Sequence, residues 1–129
     1  MCSKNVKVLI IDDEKDICNF VKLLFRKKGF LVYSALSGRR GIQIAKKVKP
    51  DIVLIDIHLR RGIDGLEALR EIRKLVLGSY CIMVTWDSAH EKIKAAKKLG
   101  ATSYLTKPLT ATELYRTVNR FATRIRKRG

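Results

Sequence analysis

A doubly wound α/β domain, five parallel strands covered by helices on both faces, is predicted by three features of this chain. Strand-like and helix-like segments alternate five times along its 129 residues. The first, third and fourth strand-like runs are almost wholly apolar: Val8-Leu9-Ile10-Ile11, Ile52-Val53-Leu54-Ile55 and Tyr80-Cys81-Ile82-Met83-Val84. Strands buried on both faces of a parallel sheet read that way. Two of these runs end in carboxylates, at Asp12-Asp13 and at Asp56. Ligands of open parallel sheets bind beyond the carboxyl ends of the strands.

Each element has its own signal. Residues 6–11 form the first strand. Residues 15–28 form a helix, with Ile17, Phe20, Val21 and Leu24 near a 3.6-residue period and Gly29 as the stop. Residues 30–34 are the second strand. The second helix opens at Ser37-Gly38 and runs to about Lys49, because Pro50 cannot continue it. Residues 51–55 are the third strand, followed by a loop containing Gly62 and Gly65. The third helix, 66–76, carries Leu66, Leu69, Ile72 and Val76 at helical spacing. Residues 80–84 are the fourth strand, and 88–99 the fourth helix, with Ala89, Ile93, Ala96 and Leu99 inward and Gly100 as its end. Residues 102–105 are the fifth strand. The last helix starts near Thr110 and carries Leu114, Val118, Phe121 and Ile125 on one stripe.

Composition narrows the class. A chain this long with 47% hydrophobic residues supports one packed domain, with a core over about 6–126. No apolar run is long enough to span a bilayer, and no secretory leader is expected at the start of the chain. Cys2, Cys18 and Cys81 have no metal-ligand spacing, which suits a reduced, cytoplasmic compartment. The balance of 28 Lys and Arg against 12 Asp and Glu, a net charge of +16, favours acidic partners or polyanions.

Asp12, Asp13, Asp56, Thr85 and Lys107 all fall at or just past strand carboxyl ends. Gathered carboxylates repel one another unless a cation compensates. Lys107 can supply one cation and a hard divalent ion another. Oxygen donors of this kind suit Mg²⁺, which takes one or two carboxylates together with phosphate oxygens. The constellation therefore reads as a metal-dependent phosphoryl site, with the Thr85 hydroxyl available to a phosphoryl oxygen. Singly, each Asp could equally cap the turn that follows it, and Lys107 could be a solvated loop residue.

The acidic pair in LIIDDE, the lone acid in IVLIDIHL, the threonine in IMVTW and the Lys-Pro in YLTKPL occur in the order and spacing of a known family. From about Val6 to Ile125 the chain resembles the receiver domain of two-component response regulators, the family of the chemotaxis response regulator. The resemblance implies a flavodoxin-like fold with strand order 2-1-3-4-5. It implies Asp56 as phosphoacceptor, taking a phosphoryl group from a phosphohistidine on a sensor histidine kinase or phosphotransfer protein. It implies Mg²⁺, with Mn²⁺ as a substitute, held by Asp13, Asp56 and the backbone carbonyl of His58, with Asp12 acting through water. Lys107 would pair with the phosphoryl group, aimed by a cis bond to Pro108, and Thr85 and Tyr104 would be the switch pair. The output surface would be residues 88–126. Such a protein catalyses its own phosphorylation and dephosphorylation rather than acting as a conventional enzyme.

Three features depart from the pattern. Position 86, usually small, is Trp86, which could slow phosphoryl turnover. His58 and Asp87, two residues past Asp56 and Thr85, occupy places that tune the lifetime of the acyl phosphate; His90 reads as a surface residue. The basic clusters are spread over several helices, which suggests general solvation and an acidic output partner. No helix-turn-helix follows residue 126, so direct DNA binding is not expected. The alternative is a degenerate receiver acting as a basic module for nucleic acid or an acidic protein. A haloacid-dehalogenase-type phosphatase would want an acid where His58 stands, and no Walker A loop is present. The expected assembly is a monomer or a phosphorylation-linked dimer.

Overall fold

The computed structural model describes residues 5–86 and 90–128. Five strands and five helices alternate in the described chain: β1 (Lys7–Ile11), α1 (Lys15–Lys27), β2 (Leu31–Ala35), α2 (Gly38–Val48), β3 (Ile52–Asp56), α3 (Gly65–Leu75), β4 (Tyr80–Thr85), α4 (His90–Lys98), β5 (Ser103–Thr106) and α5 (Ala111–Arg128). All strand pairs are parallel. The sheet order is β2-β1-β3-β4-β5, as expected of a flavodoxin-like doubly wound domain.

Alternation along each strand divides the core in two. Val8, Ile10, Ile52, Leu54, Ile82 and Val84 face α1 and α5, where they meet Val21, Phe25, Leu114, Val118 and Phe121. Leu9, Ile11, Val53, Ile55, Cys81 and Met83 face the other helices and pack with Ala45, Leu69, Ile72 and Ala96. Every residue of β3 is buried, so its continuous apolar run needs no polar alternation. Fully burying each such Leu, Ile or Phe contributes roughly 1.5–3 kcal/mol.

The helix ends follow local chemistry. The Ser37 hydroxyl accepts from Arg40 N–H at 3.2 Å, and the Asp64 carboxylate from Glu67 N–H at 2.9 Å. The Thr110 hydroxyl accepts from Glu113 N–H at 3.2 Å, which sets the start of α5. α1 stops at Gly29, whose φ of +88° favours glycine. Every strand shifts by one residue at one or both ends from expectation, and two of these shifts bear on the site. β3 extends to include Asp56 and β4 to include Thr85, because neighbours across the ladder hold both. The polar residues are therefore the last rungs of the sheet rather than loop residues. Ala89, expected to face inward on the fourth helix, lies outside the described residues.

Candidate functional site

Parallel pairing brings the carboxyl ends of β1, β3, β4 and β5 to one edge of the sheet. Ile11 is level with Ile55, Asp56 with Val84, and Thr85 with Thr106. Asp12 follows β1 and is fully buried, with its N–H held by the Ala35 carbonyl at 3.1 Å. Asp56 closes β3 and Thr85 closes β4, and both are buried. Lys107 follows β5, and its N–H donates to the Thr85 carbonyl at 2.7 Å. The Lys107–Pro108 bond is cis.

Two of the three aspartates divide their oxygens. Asp12 Oδ1 accepts from Glu14 N–H at 2.8 Å, and Asp56 Oδ1 from His58 N–H at 3.0 Å. Those bonds tie each turn, as the capping interpretation requires. The second oxygens turn instead to one cation. Lys107 Nζ lies 3.0 Å from Asp12 Oδ2 and 3.3 Å from Asp56 Oδ2. A third carboxylate, Glu14, reaches the same ammonium at 2.9 Å. Asp13 Oδ2 accepts from Arg60 N–H at 3.1 Å.

The charge balance is uneven. Three carboxylates, Asp12, Glu14 and Asp56, lie within 3.3 Å of the ammonium of Lys107, whose side chain is 1% exposed. Burial pushes the Asp12 carboxyl up from its ordinary range, and the Asp56 charge adds to this; Glu14 N–H and Lys107 offset it only in part. For Lys107 burial acts to lower the pKa, but its contacts with Glu14 and Asp12 and the charges of Asp12 and Asp56 outweigh it. The ammonium is held above its usual range and stays charged.

Asp12, Asp13 and Asp56 each offer one oxygen, and the three oxygens lie within 4.8 Å of one another. Asp12 Oδ2 is ion-paired with Lys107 at 3.0 Å but has no hydrogen bond of good geometry among the described residues. A buried carboxylate oxygen without a hydrogen bond, beside two further carboxylates, fits a hard divalent cation.

The remaining predicted positions lie around this centre. Trp86 is half exposed, and Lys107 Nζ stands 5.6 Å from its ring centroid. Tyr104 is exposed on β5, with Lys97 Nζ 5.7 Å from its ring. His58 is exposed, its Nδ1 3.5 Å from Lys92 Nζ. Asp87 lies outside the described residues. Glu14 was missed in the sequence, although it is the third acid of LIIDDE; nothing in the spacing shows that Lys107 is within its reach.

The architecture and the strand-end acids define a doubly wound α/β domain with an acidic pocket at the carboxyl edge of its sheet. Residues 8–119 match the family described as response regulator receiver domain. The chain belongs to that family. A CheY-like receiver domain protein from Methanospirillum hungatei superposes with a TM-score of 0.91 at 26% identity, covering 98% of this chain and 100% of that one. The Vibrio cholerae chemotaxis protein CheY4 gives 0.85 at 28% identity, over 92% and 99%. The BeF3-activated DrrB receiver domain gives 0.81 at 25% identity, over 92% and 97%.

Proposed function

We propose that this domain is a phosphorylation switch in which Asp56 accepts a phosphoryl group from a phosphohistidine on a sensor histidine kinase or phosphotransfer protein. One observation carries the reading. Asp56 Oδ2 shares the buried Lys107 ammonium with Asp12, in a pocket whose three aspartates can converge on one cation. Mg²⁺, with Mn²⁺ as substitute, would be held by Asp13 and Asp56, with Asp12 through water and the His58 carbonyl as a further oxygen. When bound, the ion neutralises charge on the carboxylates and on the arriving phosphate.

The residues then divide the work. His58 N–H fixes the Asp56 carboxylate in place. An Asp56 oxygen forms the new bond to phosphorus as the phosphorus–nitrogen bond breaks. The imidazole leaves with the electron pair and takes up a proton. Lys107 stabilises charge on the transferring oxygens, the positioning and charge compensation that phosphoryl transfer chiefly requires. The acyl phosphate gives the Thr85 hydroxyl a new acceptor, and Tyr104, now exposed, turns inward as Thr85 moves. The output face is α4, β5 and α5, and its partner has acidic character. Buried free thiols at Cys18 and Cys81 suit a cytoplasmic setting.

The test is intact-mass analysis after incubation with Mg²⁺ and a small acyl phosphate donor. One added phosphoryl group is expected on the natural chain and none on Asp56→Asn. A modification that survives Asp56→Asn would place the acceptor elsewhere.

A further inference from the structure

The net charge of +16 is not used by the acidic pocket. In the sequence its clusters look scattered, but the fold gathers two of them. α1 and α5 lie on the same face of the sheet and share one core cluster. Residues 15–28 and 111–128 hold eleven cations against two acids, Asp16 and Glu113; of these cations Lys22 and Arg26 turn to the β2–α2 side.

Within α5 the order is regular. Arg116, Arg120, Arg124 and Arg128 recur at every fourth residue, and all four are exposed. At 1.5 Å per residue they form a ridge about 18 Å long. Three of them are held against aromatic rings. Arg120 and Arg124 each stand 5.3 Å from the Phe121 centroid. Arg128 stands 5.2 Å from the Tyr80 centroid and donates to the Tyr80 hydroxyl at 2.6 Å. Beside the ridge runs a groove between the two helices, lined in part by Lys28, Tyr115, Arg116, Asn119 and Arg120 and by no carboxylate. Cations at helix carboxyl ends also complement the helix dipole, but that effect is confined to the last turn. It does not account for Arg116 and Arg120.

We infer that the α1–α5 face binds the phosphate backbone of duplex nucleic acid without reading its sequence. Arginine presents a planar fork that matches phosphate oxygens bidentately, and side chains already ordered on aromatic rings lose less freedom on binding. About 18 Å of duplex carries roughly ten phosphates, which is the scale of this patch. An acidic protein partner would instead want apolar anchors at its centre. The ridge offers guanidinium groups, and the apolar lining of the groove is limited to Leu24, Ala111 and the Tyr115 ring. Such binding needs no helix in a groove of the DNA, because contacts to phosphate position a protein without reading bases. It does not require a phosphorylated Asp56, and Asp56→Asn should retain it.

The experiment is fluorescence anisotropy of the full chain with a labelled 20-base-pair duplex of arbitrary sequence, across a range of salt. Binding is expected, with log affinity falling linearly with log salt. Arg116, Arg120, Arg124 and Arg128 are then changed together to Gln, with circular dichroism to establish that the helix remains. The expected result is a salt slope smaller by about 3 to 4 and an affinity more than tenfold weaker at low salt. A control variant neutralises Arg39, Lys46, Lys74 and Lys94, which lie on α2, α3 and α4, and should bind nearly as the natural chain does. Equal losses in the two variants would overturn the inference, because they would show unspecific charge attraction. So would no binding to the duplex, or displacement of the duplex by a polyglutamate peptide at equal charge concentration.

Discussion

The Glu14 carboxylate and the Lys107 ammonium stand 2.9 Å apart, although 93 residues separate them in the chain. If Asp56 accepts a phosphoryl group as proposed, Glu14 competes with that group for the buried ammonium and adds a negative charge on the approach of an anionic donor. Glu14→Gln is therefore expected to raise the rate of phosphorylation by a small acyl phosphate several-fold at low salt, with a smaller gain at high salt as screening grows. Mass-resolved time courses read the rate. An unchanged or lower rate would mean that Glu14 positions Lys107 and does not compete for it.

Divalent metal should stabilise the fold. Asp12, Asp13 and Asp56 are brought together only in the folded chain, so binding is linked to folding. At Mg²⁺ tenfold above its dissociation constant the gain is about 1.4 kcal/mol. Thermal unfolding with Mg²⁺ and with EDTA measures it. Asp13→Asn should lose most of the gain while leaving the Lys107 cluster in place. A metal-independent melting temperature in the natural chain would remove the metal site from the account.

Trp86 stands beside Lys107 at the end of β4, with the ammonium 5.6 Å from its ring centroid. Trp86→Ala is expected to open this side to donor and water, and to raise both phosphorylation and dephosphorylation rates several-fold. Rates equal to those of the natural chain would show that the indole lies aside without gating the pocket.

Gly65 lets the backbone of α3 approach the end of β3. A Cβ there would sit 2.8 Å from Ile57 Cα and 2.9 Å from the Asp56 carbonyl carbon. Neither is a flexible side-chain end, so Gly65→Ala must displace the segment that bears Asp56. The expected loss is about 2 kcal/mol in urea unfolding, together with slower phosphorylation. Native stability in the variant would show that the loop yields at little cost.

Burial lifts the Cys81 thiol above its ordinary value of 9.0, and the Cys18 thiol rises to about 11. Both side chains are buried, so iodoacetamide at pH 8 should leave them unlabelled until denaturant is added. The sign of the pH effect follows from Cys81. Above pH 9 the unfolded thiol ionises while the folded one keeps its proton, so stability falls as pH rises. Urea midpoints between pH 8 and pH 10 should decline less steeply in Cys81→Ala. A variant with the same slope would assign the decline to other groups.

The order of elements was legible in the chain because burial on both faces leaves a local mark. Val8 to Ile11, Ile52 to Ile55 and Tyr80 to Val84 have almost no polar interruption, and Gly29, Pro50 and Gly100 mark the stops. The strand-end positions of Asp12, Asp13, Asp56 and Thr85 were legible for the same reason, since each stands where an apolar run ends, whereas Lys107 was legible only from the Lys-Pro of YLTKPL. Three relationships were not. The division of the Asp12 and Asp56 oxygens between their own turns and Lys107, the capture of that ammonium by Glu14, and the arginine ridge beside α1 all depend on register and helix phase across the sheet. Local spacing determines which way a side chain faces on its own element. Only the packing of one element against another determines which distant charge it meets.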